Sequence, residues 1–312
     1  MQSKYTHLNL KNFLKKTESY FKNPILWILN YIKLKEENFT ANFVYEGYLA
    51  IKLPKISFWK VFSWEGNIVN KNSKFIDRPH AEVLLRKIVY EMYKNNYINS
   101  NESIIDIGSW IGDNSMVWAT WLNDDAVVFA VDPSSKNLSY CKMVAEINNI
   151  KNIKLIEAVC AEKAGKKLDF DGSLDHAKFN EANSDKCLIS KTLDQLILNE
   201  KETVIGLLHV DVEGFELQVL KGAQKIIIKD SPAILFEQHI SQDDVNAIFK
   251  FLKGYNYRIF MINEVLPGCQ LDCRNFLAIH SSKKLPILDG IKIDKNVLDF
   301  YKASEGPLLI EV

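Results

Sequence analysis

Short apolar runs separated by turns and amphipathic stretches dominate the chain from residue 103 onward. The runs at 103–107, 126–131, 153–157, 204–210, 233–238, 256–262 and 275–280 have the length and continuity of buried parallel strands. Segments 113–121, 135–147, 192–198, 215–229 and 242–253 lie between them and are predicted helices. This alternation predicts an α/β fold: a Rossmann-like, mostly parallel seven-stranded sheet with helices on both faces. Only 263–274 separates the last two strands, too few residues for a helical crossover, so one antiparallel strand is expected near the end.

Residues before 103 follow a different pattern. Ala81 to Asn95 reads as one helix, with Val83, Leu84, Ile88, Met92 and Tyr93 as its apolar stripe. Residues 8–34 are expected to be mostly helical, and 43–53 to form a hairpin turning at Glu46-Gly47. Aromatic side chains at Phe58, Trp59, Phe62 and Trp64 suit a satellite core better than a substrate pocket. The chain thus divides into an N-terminal extension of helices and hairpin (1–80, a cap or association region), a main domain (81–282) and a C-terminal tail (283–312). Asp169–Lys186, rich in lysine and aspartate, is the candidate mobile loop.

Composition narrows the function classes. Lysine plus arginine number 39 and aspartate plus glutamate 39, so no global field favours nucleic acid as a partner. Five cysteines without a secretory signal point to reduced thiols in a cytoplasmic protein. Cys269 and Cys273 make half a zinc site with no second pair, so a structural metal is not expected. Ile25 to Ile32 is apolar but far short of the ~20 residues that cross a bilayer. Lysines surround it, which suits peripheral contact with an anionic membrane; docking on the main domain, or on a second copy in a homo-oligomer, is the favoured reading.

Candidate chemistry gathers at strand ends, where α/β proteins place their sites. In LLHVDVEGFELQVLKGA (207–223) an apolar run stops at Asp211 and Glu213, turns at Gly214 and starts a helix. The first strand ends in DIGSWIGDNS, with Asp106, Gly108, Ser109, Trp110, Gly112 and Asp113 forming a glycine loop. Its G-x-x-x-G spacing is not that of a dinucleotide loop, and no Lys-[Ser/Thr] follows Gly112, which excludes a P-loop. A carboxylate there repels phosphate but suits the cationic sulfonium and ammonium of S-adenosylmethionine (AdoMet). The second strand ends at Asp132-Pro133, where an acid can accept hydrogen bonds from ribose hydroxyls or can instead start a helix. Ala158, after the third strand, is small enough to pass an adenine ring.

DIGSWIG, AVDP, NNIKNIKLIEAV, KTLDQL, LLHVDVEGFELQVLKGA and PAILFEQH occur in this order across about residues 80–280. Together they resemble the FkbM-type methyltransferases. The resemblance implies a class I methyltransferase fold and transfer of a methyl group from AdoMet to an oxygen of a hydroxylated small molecule, a carbohydrate or glycoconjugate above all. Two positions depart from the family pattern: Trp110 stands where asparagine is usual, and His209 where lysine is usual.

For such a transfer Asp211 is the first choice to orient the acceptor or take its proton, and Glu213 the second. Glu213 has a rival role, bonding the amides of the following turn. His209 shares the face of Asp211 two residues on and is more simply structural. Glu237 and His239 end the fifth strand at the same edge. Asp211, Glu237 and His239 could bind a divalent cation, but the spacing of no metal motif is present and cleft-lining hydrogen bonders are the favoured reading. The alternative function is a non-catalytic AdoMet-fold binding or scaffold protein. An NAD-linked oxidoreductase is disfavoured by the glycine spacing.

Overall fold

A computed structural model describes residues 5–7, 82–170, 179–181, 188–197, 203–240, 244–264, 273–291 and 307–312. The expected N-terminal helices (8–34), hairpin (43–53) and aromatic group (58–64) lie outside the described residues.

The strands are β1 (Tyr5–His7), β2 (Ser103–Ile107), β3 (Val128–Asp132), β4 (Ile153–Glu157), β5 (Val159–Cys160), β6 (Lys167–Phe170) and β7 (Phe179–Glu181). They continue with β8 (Leu188–Lys191), β9 (Ile205–Val210), β10 (Ala233–His239), β11 (Tyr257–Ile262), β12 (Cys273–His280) and β13 (Leu309–Glu311). Nine of them form one sheet in the order β1-β13-β11-β12-β10-β9-β2-β3-β4. From β4 to β10 every pairing is parallel, and β12 runs antiparallel between β10 and β11. The seven expected strands are therefore present with the one reversed strand. The sheet exceeds seven because β13, within the expected tail, pairs antiparallel with β11, and β1 pairs parallel with β13. Three-residue strands are too short to show a period in sequence.

A second, four-stranded sheet, β5-β8-β6-β7, was not anticipated. It takes up part of the stretch expected to be a mobile loop: Leu168 to Phe170 pair with Phe179 to Glu181 as a hairpin.

The helices are α1 (Val83–Lys94), α2 (Ser115–Ala119), α3 (Ser135–Asn148), α4 (Leu193–Ile197), α5 (Glu216–Lys221), α6 (Gln224–Asp230) and α7 (Val245–Gly254). Their apolar faces build two cores, one on each side of the sheet. Ile88 and Met92 of α1, Met116 and Trp118 of α2 and Val144 of α3 cover one face. Leu193, Leu220, Ile227, Phe249 and Leu252 of α4 to α7 cover the other. Burial of side chains of this size contributes roughly 1.5–3 kcal/mol each, which is why the amphipathic period was legible.

Local chemistry sets the helix ends. Ser134 caps α3, accepting from the Asn137 amide at 3.3 Å, and Asp244 caps α7, accepting from the Ala247 amide at 3.2 Å. The single helix expected over 215–229 is two. At Gly222 the chain passes so close to β5 that a Cβ would lie 2.2 Å from the Ala161 carbonyl oxygen. Asp194 then receives the Lys225 and Ile226 amides at 3.0 and 3.1 Å, capping α6 from a distant element. Among the described residues no helix is long and apolar enough to cross a membrane.

Candidate functional site

The glycine loop leaves β2 and is folded by three left-handed residues, Gly108 (φ 78°), Trp110 (φ 44°) and Gly112 (φ 77°). Gly108 is required by contact: a Cβ there would sit 1.7 Å from the Asp211 carbonyl oxygen, so only glycine lets the loop reach the end of β9. Trp110 has no such excuse, and its strain is offset by a hydrogen bond. Its amide donates to Asp132 Oδ2 at 3.0 Å, tying the loop to the tip of β3.

Asp132 is buried and also accepts from the Ser134 amide (2.8 Å) and Asn137 Nδ2 (3.0 Å), both at Oδ1. Its role in starting α3 is thus realised. A carboxylate has about four lone-pair sites, and Oδ2 with its one donor keeps capacity for a ribose hydroxyl. Burial pushes the Asp132 pKa up to about 6, against these hydrogen bonds, which lower it. Beside it, the Ser109 hydroxyl and Asn137 Oδ1 are buried with no partner among the described residues. Orphaned polar atoms next to a partly committed carboxylate suit a polyhydroxylated ligand. Pro133 is half-buried, and Ala158 is buried with its amide on the Asp132 carbonyl at 3.3 Å.

Asp106 is tied to its neighbours. Its Oδ1 lies 2.7 Å from His209 Nδ1, its Oδ2 accepts from the Ser115 hydroxyl, and the side chain is buried. Each oxygen has one partner and keeps lone-pair capacity. The His209 ring stands edge-on to Trp118, centroids 5.5 Å apart. Burial opposes charge on His209, but the hydrogen bond and charge of Asp106 prevail and push its pKa up to about 9. His209 thus has a fixed partner, and the charge of Asp106 favours its protonated form.

At the ends of β9 and β10, one carboxylate oxygen from each of Asp211, Glu213 and Glu237 lies within 4.8 Å of the others. Asp211 and Glu237 are hydrogen-bonded through their side chains. Burial raises the Asp211 pKa; the bond to Glu237 opposes that, and the Glu213 charge adds to it. Three such oxygens are of the kind a hard divalent cation takes. His239 does not complete that group: its Nε2 meets Glu213 Oε2 at 2.8 Å and its Nδ1 faces the Cys273 thiol at 3.5 Å. With both nitrogens engaged, His239 orients Glu213, itself left-handed at φ 54°.

The turn amides go to Glu216, the role considered for Glu213. Glu216 Oε1 accepts from Val212 and Gly214 at 3.1 and 3.0 Å, and Oε2 from Gln238 Nε2 at 2.8 Å. The sequence signal was its place in the first helical turn beside a glycine. Two residues gave no signal at all. Arg86 of α1 reaches Asp113 Oδ2 at 2.8 Å, and Glu264, past β11, accepts the Leu84 amide at 2.5 Å. Cys141, Cys160 and Cys273 are free buried thiols; Cys187 and Cys269 lie outside the described residues.

Residues 106–259 match the family profile of the methyltransferase FkbM domain. No curated protein matches the chain. Among solved structures, methyltransferase FkbM from Methylobacillus flagellatus KT is 16% identical with a TM-score of 0.41, over 57% of this chain and 44% of that one. The chain thus spans less than half the length of that structure. An rRNA methylase from Streptococcus thermophilus is 12% identical (TM-score 0.40), over 62% of this chain and 96% of that one. A candidate methyltransferase from Streptococcus mutans in complex with SAH is 14% identical (TM-score 0.39), over 61% and 95%. The matched segment is just under half of the chain, and the fold is read from the strand order.

Proposed function

Because residues 106–259 match the methyltransferase FkbM domain, we propose that the chain transfers a methyl group from AdoMet to a hydroxyl oxygen of a saccharide, glycolipid or similar hydroxylated metabolite. One observation carries this reading. A glycine loop bound to Asp132 and the neighbouring carboxylates of Asp211 and Glu237 meet at one sheet edge, where the Asp211 backbone touches Gly108.

AdoMet, when bound, supplies a methyl group activated by a positively charged sulfur. Asp132 Oδ2 and the Ser109 hydroxyl would hold its ribose side, and the β9–β10 acids favour its cationic end. The reacting centres must be nearly collinear, so positioning supplies much of the acceleration. An alcohol must lose its proton as the new carbon–oxygen bond forms. Asp211, at the end of β9 and hydrogen-bonded to Glu237, is the group placed to accept it. Glu213, oriented by His239, lies near enough to bind a neighbouring hydroxyl of the acceptor.

The test is incubation of the purified chain with trideuteromethyl-AdoMet and a panel of saccharides and glycolipids, read by mass spectrometry. A deuterated methyl ether supports the proposal. Cofactor binding without transfer to any hydroxylated acceptor favours the scaffold reading, and transfer only to nitrogen or carbon contradicts O-methylation.

A further inference from the structure

The glycine loop has two halves, and they are held differently. Its first half is fastened within the parallel sheet: the Gly108 and Ser109 amides both donate to the Val131 carbonyl, at 2.9 and 3.2 Å, and Trp110 is tied to Asp132. Its second half runs from Gly112 into α2, a helix of five residues whose N-cap, Asn114, makes no side-chain cap hydrogen bond. Asn114 has a helical backbone (φ −86°, ψ −49°), which does not aim its side chain at the turn, and that side chain meets α1 instead. Asn114 Oδ1 accepts from Arg86 Nε at 3.3 Å. The same guanidinium donates through Nη2 to Asp113 Oδ2 at 2.8 Å and to Glu82 Oε2 at 3.3 Å.

We infer that Arg86 is a positioning residue for the cofactor: from α1 it holds Asp113 and Asn114, and so fixes the second half of the glycine loop. Arg86 is buried, and its fork spans two successive loop residues, a geometry lysine cannot reproduce. Its own base is rigid. Leu84, Leu85, Ile88 and Val89 bury the inner face of α1, and Glu264 accepts amides from the first turn of the helix, Leu84 and Leu85. The clamp therefore transmits the placement of α1, the element that follows the N-terminal extension, to the loop. Without Arg86, Asp113 and Glu82 lose the cation between them. Burial already raises the Glu82 pKa, Arg86 opposes that, and the charges of Asp113 and Asp211 add to it.

The inference rests on the reading that this loop binds AdoMet. The experiment is calorimetric titration of AdoMet into the full chain, wild type, Arg86→Gln and Arg86→Lys, with thermal unfolding measured on the same samples. Arg86→Gln is expected to weaken AdoMet about tenfold, the scale of one charge-assisted hydrogen bond. Arg86→Lys should recover less than half of that loss on a logarithmic scale, because charge returns without the fork. Wild-type affinity in folded Arg86→Gln overturns the inference, as does full recovery by lysine. If both variants fail to fold, Arg86 serves stability alone and the inference is likewise overturned. Should the wild type itself not bind AdoMet, it is the function reading that fails, so the two failures are distinct.

Discussion

Asp106 and His209 sit opposite one another on the adjacent strands β2 and β9 and form a buried pair, 2.7 Å apart, in the floor of the site. Each is a candidate site residue, and the two hold one another across the sheet. Breaking one partner of a buried pair leaves an uncompensated charge and costs about 3–5 kcal/mol. His209→Gln, which keeps a donor, is expected toward the lower end of that range.

This pair also gives stability a pH dependence. The His209 pKa is raised from 6.5 to about 9 on folding, so the folded state holds the proton more tightly. The stabilisation is complete below about 6.5 and is lost as pH rises through about 9. Urea unfolding of wild type and His209→Gln across this range should show a stability gap that narrows on the alkaline side. A gap independent of pH would contradict the assignment.

Asp211 and Glu237 should separate binding from chemistry. Asp211→Asn is expected to lower methyl transfer by about 10²–10⁴-fold, the usual contribution of a general base, while changing AdoMet affinity little. Glu237→Gln keeps a side chain able to hydrogen-bond Asp211, so a smaller loss is expected. Equal loss of AdoMet binding in both would make these acids cofactor ligands instead.

Two glycines of similar φ provide a controlled comparison. At Gly165 (φ 83°) an added Cβ meets nothing within 4 Å, so Gly165→Ala should cost only the backbone strain, about 1–2 kcal/mol. At Gly108 (φ 78°) the Cβ would also collide with the Asp211 backbone, so Gly108→Ala should cost clearly more and weaken AdoMet binding. Chemical unfolding of both variants checks the ordering.

Glu264 caps α1 from a buried position, and burial pushes its pKa up to about 8, over the opposing pull of the Leu84 amide. At neutral pH it is mostly protonated, so Glu264→Gln should be nearly neutral. Glu264→Ala should cost about 0.5–2 kcal/mol, as loss of a helix cap does. Because the folded state binds this proton more tightly, its contribution declines as pH rises from about 4.5 toward 8. A glutamine variant as unstable as the alanine one would overturn this account.

How much of this could be read from the sequence follows from the range of each interaction. The parallel strands and amphipathic helices are written in local periodicity, and the reversed strand follows from the short connection before β12. Strands of two to four residues, such as β5 to β8, have no period to display. The break between α5 and α6 depends on Ala161 and Asp194, far from Gly222 in sequence. At the site, strand ends were legible because acids follow apolar runs, but partners were not. That Glu216 rather than Glu213 takes the turn amides, and that His239 meets Glu213 and Cys273, is decided by register and a left-handed backbone. Arg86 acts across 27 residues on Asp113, and nothing near it in sequence marks it.

The central claim is that this sheet edge binds AdoMet through the carboxylate at the tip of β3, and one titration tests it most directly. AdoMet is titrated calorimetrically into the wild type and Asp132→Ala at neutral pH, and into the wild type again below pH 6. The account predicts a single site, weakened at least about tenfold by the substitution, and weakening as Asp132 takes up its proton near pH 6. Folded wild-type protein that binds no AdoMet, or Asp132→Ala protein that binds it equally well, would contradict the account.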